Sequence, residues 1–143
     1  SDQKIPEGNF VTPDGKILGR HKGIIHYTIG QRKGLGLSLG YQAFVLEIRP
    51  DTNEVVIGTN EDLMTTRVRA NKLNFMTVED LEGEMRVFAK IRYNHKGDWC
   101  TVRKTGEDEI ECIFETPQRA VTPGQALVLY DGDYVLGGGT ILG

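Results

Sequence analysis

The run "MRVFAKIRY", Met85 to Tyr93, decides how the chain is read. Val87, Ala89 and Ile91 fall on one face of an extended strand, and Arg86, Phe88, Lys90 and Arg92 on the other. A period of two is a strand signal, and the apolar face is a core stripe. The opposite face sets three cations around one aromatic ring. That arrangement suits the tracking of a nucleic-acid backbone. It suits equally a solvated strand whose charges pair with glutamates of the later "GEDEIE" run, Gly106 to Glu111.

Further strand-like runs lie downstream: "WCTVRK" (Trp99 to Lys104), "EIECIFE" (Glu109 to Glu115), "ALVLYDG" (Ala126 to Gly132) and "YVLGGGTIL" (Tyr134 to Leu142). Upstream, "NFV" and "KILGR" flank the turn "TPDG" (Thr12 to Gly15), and "AFVLEIR" and "EVVIGT" flank "PDTN" (Pro50 to Asn53). Pro and Gly stand where tight reversals need them. Helix is expected only as a short piece at Tyr27 to Lys33, with a turn at Val78 to Leu81. The chain therefore reads as mainly β. A small β-rich domain at 1–60 precedes a roughly six-stranded antiparallel β-barrel at 61–143, the boundary falling in the polar stretch Gly58 to Thr66. A barrel removes exposed strand edges, which a unit this small needs.

The length of 143 residues fits one ordinary domain or two very small ones. No segment approaches the roughly 20 apolar residues of a membrane-spanning helix. Ser1 to Phe10 has neither an initiator Met nor the apolar core of a signal peptide, so the chain reads as a fragment or processed piece of a cytoplasmic protein. Cys100 and Cys112 are too few for a disulfide framework and wrongly spaced for a zinc knuckle. They read as reduced strand cysteines. His21, His26 and His95 are scattered, and no triad, metal cluster or close acid pair stands out, so the metal and catalytic expectations are both none. The formal net charge of −3 conceals a basic stretch from Lys16 to Lys33, which holds five Lys or Arg and no acid.

That stretch contains "HYTIGQRKGLGL", His26 to Leu37. It lacks the Gly-Lys-Ser/Thr of a phosphate loop and the βαβ context of a dinucleotide fingerprint. What remains is Gln31, Arg32 and Lys33 between glycines, which suits phosphate or ribose oxygens, or a structural turn. In "TPQRAVTPGQALVLYDG", Thr116 to Gly132, Pro117 and Pro123 are expected to break strands and Gly124 to adopt an unusual backbone angle. Gln125 follows as a hydrogen-bonding loop residue.

Four stretches, "GKILGRHKGIIHYTIGQRKGLGL", "VIGTNEDL", "AKIRYNHKGDWCTV" and "ETPQRAVTPGQALVLYDGDYVLGGGTI", resemble in this order the C-terminal portion of bacterial tRNA-specific 2-thiouridylases. The match covers nearly the whole chain from about Gly8. The resemblance implies a small central domain followed by a β-barrel, taken from an enzyme that adenylates the wobble uridine of tRNA and replaces its oxygen with sulfur. ATP with magnesium and a persulfide sulfur donor are implied for the full-length enzyme, with none in this chain. The "SGGxDS" loop and both catalytic cysteines belong to an upstream catalytic domain, and Cys100 and Cys112 do not inherit their role. The implied partners are tRNA, that missing N-terminal domain, and a sulfur-relay protein or cysteine desulfurase. Arg92, Tyr93 and Gln125 match family positions that contact tRNA. Gln31, Arg32 and Lys33 match the glycine-loop signature, facing tRNA or the neighbouring domain. Alternation turns Tyr93 inward, so Arg92 and Tyr93 can both reach RNA only if the strand ends there, which "NHKGD" leads one to expect. The rival reading is a protein-interaction module docking the catalytic domain or a relay protein. A self-contained thiol enzyme using Cys100 or Cys112 is the third.

Overall fold

The two N-terminal hairpins form as their turn sequences predict. In the computed structural model, which describes residues 6–75, 81 and 83–143, β1 (Gly8–Val11) pairs antiparallel with β2 (Ile17–His21), and β3 (Phe44–Arg49) with β4 (Glu54–Gly58). A parallel pairing of β1 with β4 joins the hairpins into a mixed sheet of order β2-β1-β4-β3. The chain folds as two units, the first ending at Leu63 and the second beginning at Met64.

The first unit packs Phe10, Tyr27, Leu35, Val45, Val55 and Ile57 into its core. His21 is buried among them. Its Nε2 lies 2.7 Å from the Asn53 carbonyl and its Nδ1 accepts from Gly23 N–H at 2.9 Å, which fixes the Nε2–H tautomer. The ring also meets Phe10 and Tyr27 edge to face. His21 thus ties the end of β2 to the β3–β4 turn.

The helix expected at Tyr27 to Lys33 does not form. Helical structure there is a single 3-10 turn at Ile24–His26. Beyond it Gly30, Gly34 and Gly36 take left-handed φ values of 91°, 77° and 68°, and β-branched Thr28 and Ile29 add to the bias against helix. The turn expected at Val78 to Leu81 lies outside the described residues except for Leu81.

The second unit is a closed barrel of order β10-β5-β8-β7-β6-β9, every pairing antiparallel. Its strands are β5 (Met64–Asn74), β6 (Met85–Lys90), β7 (Asp98–Gly106), β8 (Glu109–Arg119), β9 (Ala126–Asp131) and β10 (Tyr134–Ile141). Alternation holds through β6: Val87, Ala89 and Ile91 are buried, while Arg86 and Arg92 are exposed. Pro117 does not break its strand and sits inside β8. It lies past the last β7 partner, which faces Phe114, and beside the register shift against β5 at Thr65–Arg67. No ladder bond is demanded of its missing N–H. Among the described residues, no helix is long and apolar enough to cross a membrane.

Closure depends on the glycines of β10. A Cβ on Gly138 would stand 2.3 Å from the Leu127 carbonyl oxygen, and one on Gly139 would stand 2.6 Å from that of Asn71. Both obstacles are backbone, so neither can rotate away. Gly138→Ala is expected to destabilise the protein by about 1–3 kcal/mol, as overpacking does. Thermal unfolding followed by far-UV circular dichroism checks this; an unchanged melting temperature would show that β9 can shift freely.

Candidate nucleic-acid interface

Strand β6 ends at Lys90, and a turn follows immediately. Its end releases Tyr93 from the inward position that alternation would impose, leaving the ring 95% exposed beside exposed Arg92. Register brings in the third residue. Phe88, Ala89 and Lys90 face Tyr130, Leu129 and Val128 of β9. Continued two residues, that register sets Arg92 level with Ala126, directly after Gln125. Arg92, Tyr93 and Gln125 therefore share one end of the barrel on neighbouring strands.

The backbone of Gln125 is fixed on both sides. Its N–H donates to the Thr122 carbonyl at 3.2 Å, and its own carbonyl accepts from Ile141 N–H at 2.8 Å. Gly124 takes φ 90°, the unusual angle foreseen for it. Gln125 is exposed, and its side chain makes no hydrogen bond among the described residues.

A polar network that the sequence did not announce supports the Arg92–Tyr93 turn. His95 N–H donates to the Arg92 carbonyl at 3.1 Å, and His95 Nδ1 accepts from Ile91 N–H at 3.4 Å. Gln118, a buried residue of β8, lies beside the His95 ring and favours its protonated form. The Gln118 amide nitrogen donates to Asp98 and to the Thr116 carbonyl. Hydrogen bonds from Thr116 hold the Asp98 carboxyl below its usual range. Arg92 itself donates to the Arg119 carbonyl at 3.2 Å, which aims the side chain along the barrel end. The available signal was a Gln at an inward position of "ETPQR", but its partners lie about 20 residues upstream and meet it only through register.

The other cations of β6 fare differently. Arg86 forms a two-pronged ion pair with Glu115, at 2.7 and 3.1 Å, and not with the "GEDEIE" run foreseen for it. Glu111, within that run, is taken by Arg67 and Arg103. Lys90 makes no ion pair among the described residues.

In the first unit the glycine loop proves to be built around its own packing. Gly30 N–H donates to the Val45 carbonyl at 2.8 Å and Val45 N–H to the Gln31 carbonyl at 2.9 Å, so the loop covers β3, an edge strand of the sheet. Leu35 is buried, and Leu37 and Leu39 pack against the core. The side-chain amide of Gln31 is used within the loop, accepting from Thr28 N–H at 3.0 Å and donating to the Lys33 carbonyl at 2.9 Å. Gln31 shapes the loop, while Arg32 and Lys33 stay exposed and without ion pairs among the described residues.

Cys100 and Cys112 are free, fully buried and directed into the barrel core. Hydrogen bonding with Cys100, and then burial, push the Cys112 thiol well above its ordinary value. Both act as small core side chains.

Two family profiles match the chain: the tRNA methyl transferase PRC-barrel domain over residues 2–59, and the aminomethyltransferase beta-barrel domain over residues 65–141. The chain is 68% identical over 140 residues to the tRNA-specific 2-thiouridylase MnmA of Lachnoclostridium phytofermentans, covering 98% of this chain and 39% of that protein. It is 52% identical to the MnmA of Koribacter versatilis, covering 97% of this chain and 38% of the relative. Against the MnmA of Clostridioides difficile it is 50% identical, with 99% and 39% covered. The chain thus spans about two fifths of the length of these curated relatives.

Two outcomes follow from this geometry. Thiol titration of the folded chain is expected to find neither cysteine reactive and, after denaturation, both; reaction in the folded state would restore a role for sulfur here. Burial, then the neighbouring Arg92, push the His95 imidazole below its ordinary value. The unfolded chain then binds the extra proton first, so His95 stabilises the turn fully above about pH 6.5 and less as pH falls below it. Hydrogen exchange at the Ile91 amide, corrected for intrinsic rate, should lose protection as pH falls below about 6.5, and a pH-independent protection factor would exclude this coupling.

Proposed function

Because the chain belongs to the tRNA-specific 2-thiouridylase family, we propose that it is the tRNA-binding portion of such an enzyme. In this reading residues 1–60 are the small central domain and residues 61–143 the barrel. They hold the RNA while a catalytic domain outside this chain performs ATP-dependent sulfur transfer to the wobble uridine, in the cytoplasm. ATP with magnesium, the persulfide donor and any sulfur-relay protein belong to that other domain, and no residue of this chain is assigned to them.

The observation that carries the reading is the convergence of Arg92, Tyr93 and Gln125 at one end of the barrel. Each brings a different capacity. The Arg92 guanidinium suits a phosphate, the exposed Tyr93 ring suits a base, and the Gln125 amide can both donate and accept. The bonds from Ile91 N–H to His95 and from His95 N–H to the Arg92 carbonyl hold the turn before RNA arrives, which reduces the ordering cost of binding. Arg32 and Lys33, on the glycine loop, supply further positive charge for phosphate or for the catalytic domain. Phosphate contacts of this kind set position, while selection of the uridine resides elsewhere.

Titrating the 143-residue chain with an unmodified substrate-type tRNA at several salt concentrations tests the reading. Affinity should fall as salt rises, and Arg92→Ala should weaken binding roughly tenfold and shallow the logarithmic salt slope by about 0.7–0.9. Gln125→Ala should weaken binding with little change in slope. Unchanged affinity in Arg92→Ala would remove this assignment.

A further inference from the structure

The outer wall of the barrel carries a belt that the contacts at its end do not use. Val135, Tyr130, Phe88 and Trp99 form one row across β10, β9, β6 and β7, each opposite the next. Phe88 and Trp99 meet edge to face, 5.5 Å between ring centroids. Gly97 takes φ 85°, and the Phe88 ring fills the place where its Cβ would stand, 2.2 Å away. The belt is accessible: Trp99 is 39% and Val135 51% exposed.

Cations lie over this belt. The Arg86 guanidinium sits 4.1 Å above the Trp99 ring, and the Lys90 ammonium 5.6 Å from the Tyr130 centroid. Glu115 takes the edge of the Arg86 guanidinium, yet the Arg86 side chain remains 56% exposed. A planar group stacked on Trp99 and pinned at its edge is a platform for another planar group. Lys90 has no carboxylate partner among the described residues, and Arg92, just past the end of β6, donates to a carbonyl, so neither charge meets a carboxylate among the described residues.

We propose that this wall is a second RNA-contact surface, on which a single-stranded segment held at Arg92, Tyr93 and Gln125 continues along β6. A phosphate meets Lys90, and a base stacks on the Arg86–Trp99 pair. Two features favour RNA over a protein partner. The uncompensated charges on the path are both positive. The belt at Phe88 also lies only two residues, about 7 Å, from Lys90, where β6 ends and the Arg92 turn begins, so the wall continues the site at the barrel end. The inference rests on the proposed RNA-binding role of that end.

Trp99 is the only tryptophan of the chain, so its fluorescence reports on the wall alone. Unmodified tRNA should quench Trp99 emission, saturating at the concentration seen by anisotropy of the labelled tRNA. Lys90→Ala, which removes no core side chain, should shallow the logarithmic salt slope by about 0.7–0.9. Trp99→Leu should weaken binding roughly tenfold, the scale of a lost stacking platform. Lys104→Ala, an exposed lysine at the opposite end of β7, should change affinity far less. Binding by anisotropy with unchanged Trp99 emission and an unchanged Lys90→Ala slope would overturn the wall and leave the barrel-end reading intact. No anisotropy change even at low salt would overturn that reading and the wall with it. Emission that shifts with protein concentration in the absence of RNA, with no further change on adding it, would make the belt an interface between copies and overturn the proposal.

Discussion

Closing six strands on themselves forces each strand residue of the second unit to take either a packed interior or a solvated wall. The interior of so small a barrel packs Ala70, Ala89, Cys100 and Cys112 beside Phe114 and larger aliphatic side chains. This is why the cysteines are expected to be unreactive: they are small buried core residues in neighbouring strands. It also leaves polar and charged side chains only the wall and the ends, where strands stop. The glycines of β10 make the closure possible by letting β9 and β5 backbones approach where a side chain would stand. The exposed rim and the closure of the sheet are therefore one constraint seen at two places.

The first unit meets a different difficulty, an open sheet with exposed edges. Its answer is the glycine-rich loop, which bonds to Val45 on the edge strand β3 and returns Leu35, Leu37 and Leu39 to the core. Glycine is needed because the path takes left-handed backbone angles at Gly30, Gly34 and Gly36. The "GQRKGLGL" motif is thus first a packing device. Its polar residues divide by geometry: Gln31 is consumed in holding the loop, and Arg32 and Lys33 are what the loop presents.

Most of the fold was legible because strands and turns are local. Alternation in "MRVFAKIRY" and turn residues in "TPDG" and "PDTN" specify their elements within a few positions. Strand β5 was not legible by name, since "MTTRVRANKLN" buries only Val68 and Ala70 and shows more charge than core. The helix expected at Tyr27 misjudged the glycines, and the break expected at Pro117 misjudged a strand that outlasts its partner. For the candidate site, the end of β6 at Arg92–Tyr93 could be foreseen from "NHKGD". The network of His95, Gln118 and Asp98 could not. His95 lies in the turn itself, Asp98 opens β7 and Gln118 belongs to β8, and only the β7–β8 register brings them behind the turn.

A net charge of −3 looks unfavourable for a polyanion, but the arithmetic of sums is misleading at this scale. Charges separated by more than about 8 Å are largely screened at physiological salt, so only local balance matters. Locally, many of the acids are engaged in the fold. Asp62 bonds Thr59, Asp98 bonds Thr116 and the Trp99 amide, and Asp108 accepts from the amides of Lys72 and Leu73. Glu111 takes Arg67 and Arg103, and Glu115 takes Arg86. Lys22, Arg32, Lys33 and Lys90 have no such ion pairs among the described residues, and Arg92 is committed only to a carbonyl. Acids that brace strands and turns, with cations left on loops and along one strand, give an acidic chain local surfaces with a basic character.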